Sequence, residues 1–388
     1  MQLDNKNKNL PQNEFPLMET QKGNIVLFHP HIASSSFHEV NQTLSTRWIG
    51  QGPKVDKFEK MFQQRFTNGN PAIAVGSGTD ALHLAYLLAD IKKDDEVVVP
   101  VFTCTATNIP FLYMGAKVKF ADVQIDTLNI SVDHVRKLVN EKTKAIVCVH
   151  YAGLPCDMNE LHEIAKEYEI PVIEDAAHAL GATYNGIPIG AVSDFTMFSF
   201  QAIKHITTGD GGMLTFKDAS LFEKSKRLRW FGIDRAAKQG GIWENDIYEV
   251  GYKYQMTDVA ACLGIAALYE FDEIINHRQR LFHEYVMGLE NVPGLKVIGA
   301  NLKDRTHAAW LFTVLVEKRV ELVKKLHENK IESAQVHYRN DRYSIFGGRR
   351  NDLPNMDSVE DKYLVLPLHT KLSIEDIQYV CKVINSGW

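Results

Sequence analysis

The 388-residue chain lacks any run of about 18 consecutive apolar residues, so no membrane-spanning helix is expected. Cysteine is scarce and dispersed: Cys104, Cys148, Cys156, Cys262 and Cys381 are odd in number and never spaced as CxxC. That pattern argues against a disulfide framework or a zinc site, and a reducing cytoplasm suits it better. Charge of one sign is also lacking, since 43 basic residues stand against 48 acidic ones for a net −5. Nucleic acid is therefore not expected as the main ligand, although a local basic pocket for a small phosphate remains compatible. The first ten residues, Met1 to Leu10, contain no apolar h-region, so no signal peptide is expected. There is no internal repeat. What remains is an ordinary globular composition, 45% hydrophobic and 23% charged.

Residues 1–23, rich in Asn, Gln and Lys, read as a mobile tail. From there strand-like and helix-like segments alternate. Strands are expected at Ile73–Val75, Glu96–Pro100, Val118–Phe120, Ala145–Val149 and Pro171–Glu174, with helices at Ala81–Leu88, Thr107–Tyr113 and Met158–Tyr168. Such alternation implies an α/β domain over residues 24–258, a mostly parallel sheet with helices on both faces. Beyond it, one long helical stretch from Val259 to Glu290 leads into a smaller α+β domain over 259–388. Its expected strands are Leu295–Ile298 and Leu311–Val316, and its helices Val320–Asn329 and Ile374–Ile384.

Several residues in this frame match the needs of pyridoxal 5′-phosphate (PLP). That cofactor requires an amine for a Schiff base, an acid that keeps its pyridine nitrogen protonated, and donors for its phosphate. Lys204 lies between two strand-like runs, where desolvation would make its amine nucleophilic. A surface lysine before a glycine-rich turn reads equally well. Asp175 ends an apolar run, where ligands of open α/β sheets bind, though it would serve as well as an N-cap. Gly76-Ser-Gly-Thr-Asp80 falls between a strand and a helix and offers an anion site, or simply a tight turn. Ser199 could add a hydroxyl to that cradle, and His178 could bond the ring oxygen of the cofactor. Each has a bland reading, solvated for the serine and packed for the histidine.

The combination, in order along the chain, resembles the DegT-type sugar aminotransferases, fold-type I PLP enzymes acting on nucleotide-linked keto sugars. The resemblance rests on GPKVDKFE (52–59), GSGTDALHLA (76–85), EVVVPVFT (96–103), VHYAGLPCDM (149–158), IEDAAHALG (173–181), Phe198–Gly212, GYKYQMTD (251–258) and LVLPLH (364–369). It implies that Lys204 carries the cofactor and shuttles a proton, that Asp175 pairs with the pyridinium, and that His178 contacts the phenolic oxygen. Gly78, Thr79 and Ser199 would hold the phosphate. The pyridoxamine form would be the intermediate state and L-glutamate the amino donor. A homodimer with shared active sites is implied, in surface polysaccharide or glycoconjugate biosynthesis. The run Ile206–Gly212 resembles members that aminate C4 of a keto-deoxyhexose.

Three positions depart from the family pattern. Lys253 stands where Asn usually reaches the partner's phosphate, and it would act there as a point charge. Cys104 stands where an aromatic ring usually covers the cofactor. His205 stands where Asn is common. In Gln335–Tyr343, His337, Arg339 and Arg342 are candidates for the sugar diphosphate, against a solvated loop as the plain alternative. Two other functions are compatible with parts of the pattern. Related sugar dehydratases replace the lysine by histidine, whereas here lysine stands at 204 and histidine only at 205. A non-catalytic PLP-binding regulator would stay spectrally silent when glutamate is added.

Overall fold

The computed structural model describes residues 17–21, 23–244, 246–300 and 302–388. Most of the expected tail, 1–16 and 22, lies outside the described residues. The large domain is built on seven strands: β1 (Ala72–Val75), β2 (Glu96–Pro100), β3 (Lys117–Ala121), β4 (Thr143–Val149), β5 (Val172–Asp175), β6 (Phe195–Ser199) and β7 (Gly212–Phe216). Their order in the sheet is β1-β7-β6-β5-β4-β2-β3. Only β7 runs against the rest, pairing antiparallel with both β1 and β6. The α/β expectation with a mostly parallel sheet therefore holds.

The strands are buried on both faces, as parallel sheets are, so their sequences are continuous apolar runs. Alternate residues feed two cores. Ile73, Val97, Val147, Ile173 and Leu214 pack on one side with the helix Gly78–Leu88. Ala74, Val98, Ile146, Val172 and Met213 pack on the other with Pro53–Phe66 and Met158–Glu167. This period-2 alternation fixes the register, because a slip of one residue would exchange the two faces.

The small domain places Leu295–Val297, Phe312–Val316 and Tyr363–Leu366 in an antiparallel sheet. A third core joins it to Phe271–Leu289 and Ile374–Asn385 through Leu281, Tyr285, Phe312, Leu364 and Ile377. Two expectations need correction. The stretch read as one helix is two, Asp258–Tyr269 and Phe271–Leu289, separated at Glu270, where φ is −96° and ψ 2°. The first packs on the large domain, and the second begins there with Phe271, Ile274 and Ile275 before Leu281, Tyr285 and Leu289 carry it into the small-domain core. The domain boundary also shifts at its N-terminal side. Ile25 exchanges backbone bonds with Lys330 and Glu332 and sits in the small-domain core, so residues near 25 belong with the C-terminal unit. No helix among the described residues is long and apolar enough to cross a membrane.

Candidate active site

The carboxyl end of β5 delivers Asp175 to the centre of the sheet edge, opposite Val149 of β4 and Met197 of β6. Its side chain is 4% exposed. Thr107 donates its hydroxyl to Oδ2 at 2.7 Å, and the Ala177 N–H donates to Oδ1 at 3.1 Å. Burial nevertheless raises its pKa, against the Thr107 and Ala177 bonds and the charge of Lys204. A buried carboxylate with neutral hydrogen-bond donors calls for a cationic group, which a protonated pyridine nitrogen supplies.

Lys204 follows β6 in a turn closed by its own N–H to the Gln201 carbonyl, 2.9 Å. Its Nζ lies 3.6 Å from the centre of the Trp310 ring. Burial lowers its pKa to about 8, with Asp175 and then Cys104 pulling the other way. His178 stacks on the same indole at 3.8 Å, 15° from parallel, and His337 lies 5.1 Å from His178. Their Nε2 atoms lie 3.3 Å apart, within hydrogen-bonding distance. Burial holds both neutral, His178 well below its ordinary value and His337 down to about 3. Nδ1 of His178 is buried and has no partner among the described residues.

At the other end, Gly76-Ser77-Gly78 links β1 to the helix Gly78–Leu88, capped by the Ser77 side chain on the Asp80 N–H at 3.1 Å. A Cβ on Gly78 would sit 3.0 Å from Cβ of Ser199, and one on Gly212 would meet the Ser77 carbonyl at 2.5 Å. Glycine at both positions lets β6, β7 and the helix start close on one another. Thr79 is half-buried beside them. The helix N-terminus with these hydroxyls has the makings of an anion site. Asp80 in the first turn has its pKa raised by burial to about 6.

Among the remaining candidates, Arg339 is a correction. It is fully buried and its guanidinium is enclosed by Asp341, at 2.6 and 2.7 Å, with Asp357 and Glu360. Four of its five N–H groups are taken by these carboxylates, so it acts inside the fold rather than toward a substrate diphosphate. Instead it secures the pairing of Tyr338–Arg339 with Phe102–Thr103, which carries the turn to Cys104. Arg342 is half-buried with its guanidinium 4.5 Å from the Tyr338 ring, and its buried Nε has no partner among the described residues. Cys104 is an exposed free thiol at the start of Thr105–Met114, near Lys204. Lys253 is exposed, its Nζ 3.8 Å over Trp230 of the same chain, and nothing in one chain brings it to Lys204. His205, unexplained from sequence, bonds the Ala308 carbonyl through Nε2 at 2.7 Å.

Sequence reasoning missed Thr107 and Trp310. Thr107 stands on a helix 68 residues before the aspartate, and Trp310 comes from another domain, so neither carries a local signal. It also missed a fastening beneath Asp175. His150 bonds Glu174 at 2.6 Å through Nε2 and accepts the Cys156 N–H at Nδ1. Cys148, His150 and Cys156 lie within 4.8 Å of one another. Because both ring nitrogens and the Cys156 thiol, on the Val149 carbonyl, are already engaged, the cluster reads as a hydrogen-bonded brace.

These features fit PLP. A cradle closed by Gly78, an unpaired buried His178 nitrogen, a buried acid and a lysine of lowered pKa lie along one path. The model of the DegT/DnrJ/EryC1/StrS aminotransferase family matches residues 30–385. GDP-perosamine synthase of Escherichia coli O157:H7 is 33% identical over 93% of this chain and 98% of its own. UDP-4-amino-4-deoxy-L-arabinose--oxoglutarate aminotransferase of Shewanella sediminis is 32% identical, over 92% and 97%. Among solved structures, AtS13 from Actinomadura melliaura superposes with a TM-score of 0.90 at 35% identity, covering 95% of this chain and all of that one. The PLP-form of the putative sugar aminotransferase Spr1654 from Streptococcus pneumoniae superposes at 0.87 with 28% identity, over 94% and 98%.

Proposed function

The chain belongs to the DegT/DnrJ/EryC1/StrS aminotransferase family, whose cofactor is PLP, and from that premise we propose that it aminates a nucleotide-linked keto-deoxyhexose at C4 with glutamate as donor. The observation that carries the reading is the convergence of Lys204, Asp175 and His178 beside the glycine-closed cradle. When bound, PLP supplies an aldehyde and a ring that withdraws electrons from the carbon being converted between amine and ketone. Asp175 holds a proton at the ring nitrogen and so maintains that withdrawal. Lys204, with a pKa near 8, populates both protonation states close to neutrality and moves the proton at the reacting carbon. His178 meets the phenolic oxygen through its unpaired nitrogen, while Gly78, Thr79 and Ser199 hold the phosphate.

The names of the relatives support the substrate class: one is a GDP-sugar synthase, the other a UDP-4-amino-sugar enzyme coupled to oxoglutarate. Arg342, with its unpaired Nε, and His337 are the residues assigned to the sugar nucleotide, and surface polysaccharide or glycoconjugate assembly is the setting proposed. Two copies are proposed to share their sites, with Lys253 of each turned toward the other's phosphate. The exposed apolar side chains of Trp243, Tyr248 and Val250 on the preceding segment support such a pairing. The test is incubation with dTDP-, UDP- and GDP-linked 3-keto and 4-keto sugars plus glutamate, read by mass. An amino sugar formed from a 4-keto substrate with equimolar oxoglutarate is expected. Amination of the 3-keto sugars alone would overturn the C4 assignment.

A further inference from the structure

Trp310 meets the lysine, both stacked histidines and the Ile203 carbonyl beside the lysine. Its Nε1–H donates to the Ile203 carbonyl at 3.1 Å, while His205 bonds Ala308 at 2.7 Å. The two neighbours of Lys204 are thus tied to one short stretch of the small domain. That stretch is itself fixed: the Trp310 and Leu311 N–H groups both donate to the Ala152 carbonyl at 3.0 Å, and Ala309 is held at φ +53°. Arg278 donates to the carbonyls of Ala309, Trp310 and Leu368. The indole, 1% exposed, cannot swing aside without breaking its Nε1–H bond to Ile203, while the backbone that carries it is held by the other bonds. Nζ of Lys204 rests on its face and makes no hydrogen bond or ion pair among the described residues.

We propose that Trp310 is a positioning residue whose indole face seats the Lys204 ammonium whenever that lysine is not joined to the cofactor. The negative face of an indole attracts a cation and replaces part of the hydration lost on burial. In amino-group transfer the lysine is set free while the amino group resides elsewhere, and it must keep within reach the proton it has taken. A bare buried ammonium would shed that proton or move toward water. Seated on Trp310, it stays beside Asp175, His178, His337, Cys104 and His205, the titratable groups around it, of which Asp175 alone carries a fixed negative charge in the same pocket. Because the seat belongs to the small domain, the placement of the amine depends on how the two domains meet.

The reading rests on Lys204 being the amine that captures PLP, and Lys204→Ala, which should lose capture altogether, tests that separately. The seat is tested by biosynthetic replacement of tryptophan with mono-, di- and tetrafluorinated analogues. These keep the ring's shape and its N–H but drain charge from its face. The readout is the midpoint pH at which cofactor-free protein captures PLP, followed by visible absorbance. The midpoint is expected to fall stepwise with fluorine content, by about one unit across the series. The same analogues in a Trp310→Phe background should leave the midpoint in place, which removes the other four tryptophans as a cause. A midpoint that ignores fluorination would overturn the proposal, and so would an equal trend in the Trp310→Phe protein. A merely structural Trp310 gives the first of these results, since shape and hydrogen bond are retained.

Discussion

At the proposed phosphate end of the site, three backbone segments close on one another because Gly78 and Gly212 have no side chains. At the lysine end, side chains gather from distant parts of the chain, Trp310 against Lys204 and Thr107 against Asp175. In the first, each segment carries a local signal, glycine at a strand end or a helix start. The second depends on tertiary folding, and its Trp310 half exists only once two domains have folded together. A substitution at the phosphate end should therefore act on cofactor affinity, whereas one in the small-domain wall should act on stability and on the lysine's proton. Lys204 is where the two regions meet, and Lys204→Ala gives the largest effect. Visible absorbance of bound cofactor and multiple turnover are both expected to vanish while the melting temperature of the cofactor-free protein is kept. Turnover that survived would remove the lysine from both regions.

Next in size is Arg339→Met, which probes the wall without touching the lysine. It leaves Asp341 buried without its cation, a loss of about 3–5 kcal/mol. Chemical denaturation should show that loss, and any protein that remains folded should keep an unchanged KM for the sugar nucleotide. A raised KM with normal stability would restore the arginine to the substrate and reverse the correction made above.

The same contrast explains what could be read in advance. The strands of the sheet, the helix after Gly78, Asp175 at a strand end and Lys204 between strands were legible, because apolar runs, glycine spacing and strand ends are local signals. The fate of Arg339 was not, since its acids lie up to 21 residues away and its burial depends on them. The break at Glu270 was missed because both flanking helices keep a helical pattern. The pairing of Ile25 with Lys330 and Glu332 spans most of the chain and leaves no trace in either segment alone.

Gly78→Ala tests the phosphate end by itself. The added methyl would approach the Ser199 side chain at about 3 Å, so the serine or the helix start must give, at a cost of order 1–3 kcal/mol. A rise of about tenfold or more in the PLP dissociation constant is expected, with the capture midpoint of Lys204 unmoved. An unchanged affinity would mean that the phosphate sits elsewhere.

The smallest expected effect belongs to Asp175→Asn, and its sign should differ between the two forms of the protein. In the cofactor-free form burial raises the pKa of Asp175, so its folded value exceeds its unfolded one. Stability tied to this group is then fully present below the unfolded pKa, about 3.9, and is lost as pH rises through the folded value. Near neutral pH the cofactor-free protein carries the cost of a buried carboxylate. Asparagine keeps the shape and the Thr107 contact without that charge, so the variant should melt higher than the parent at neutral pH. The gap should close below about pH 4, where the aspartate is protonated in both states. With PLP bound, the carboxylate faces a cationic ring nitrogen, and the same substitution removes an attraction. One unit of lost protonation preference is about 1.4 kcal/mol, or roughly a tenfold weaker hold on the cofactor. Melting curves of both forms across pH would show the crossing. If the variant were more stable in both forms, or less stable in both, Asp175 would not be the residue that faces the ring nitrogen.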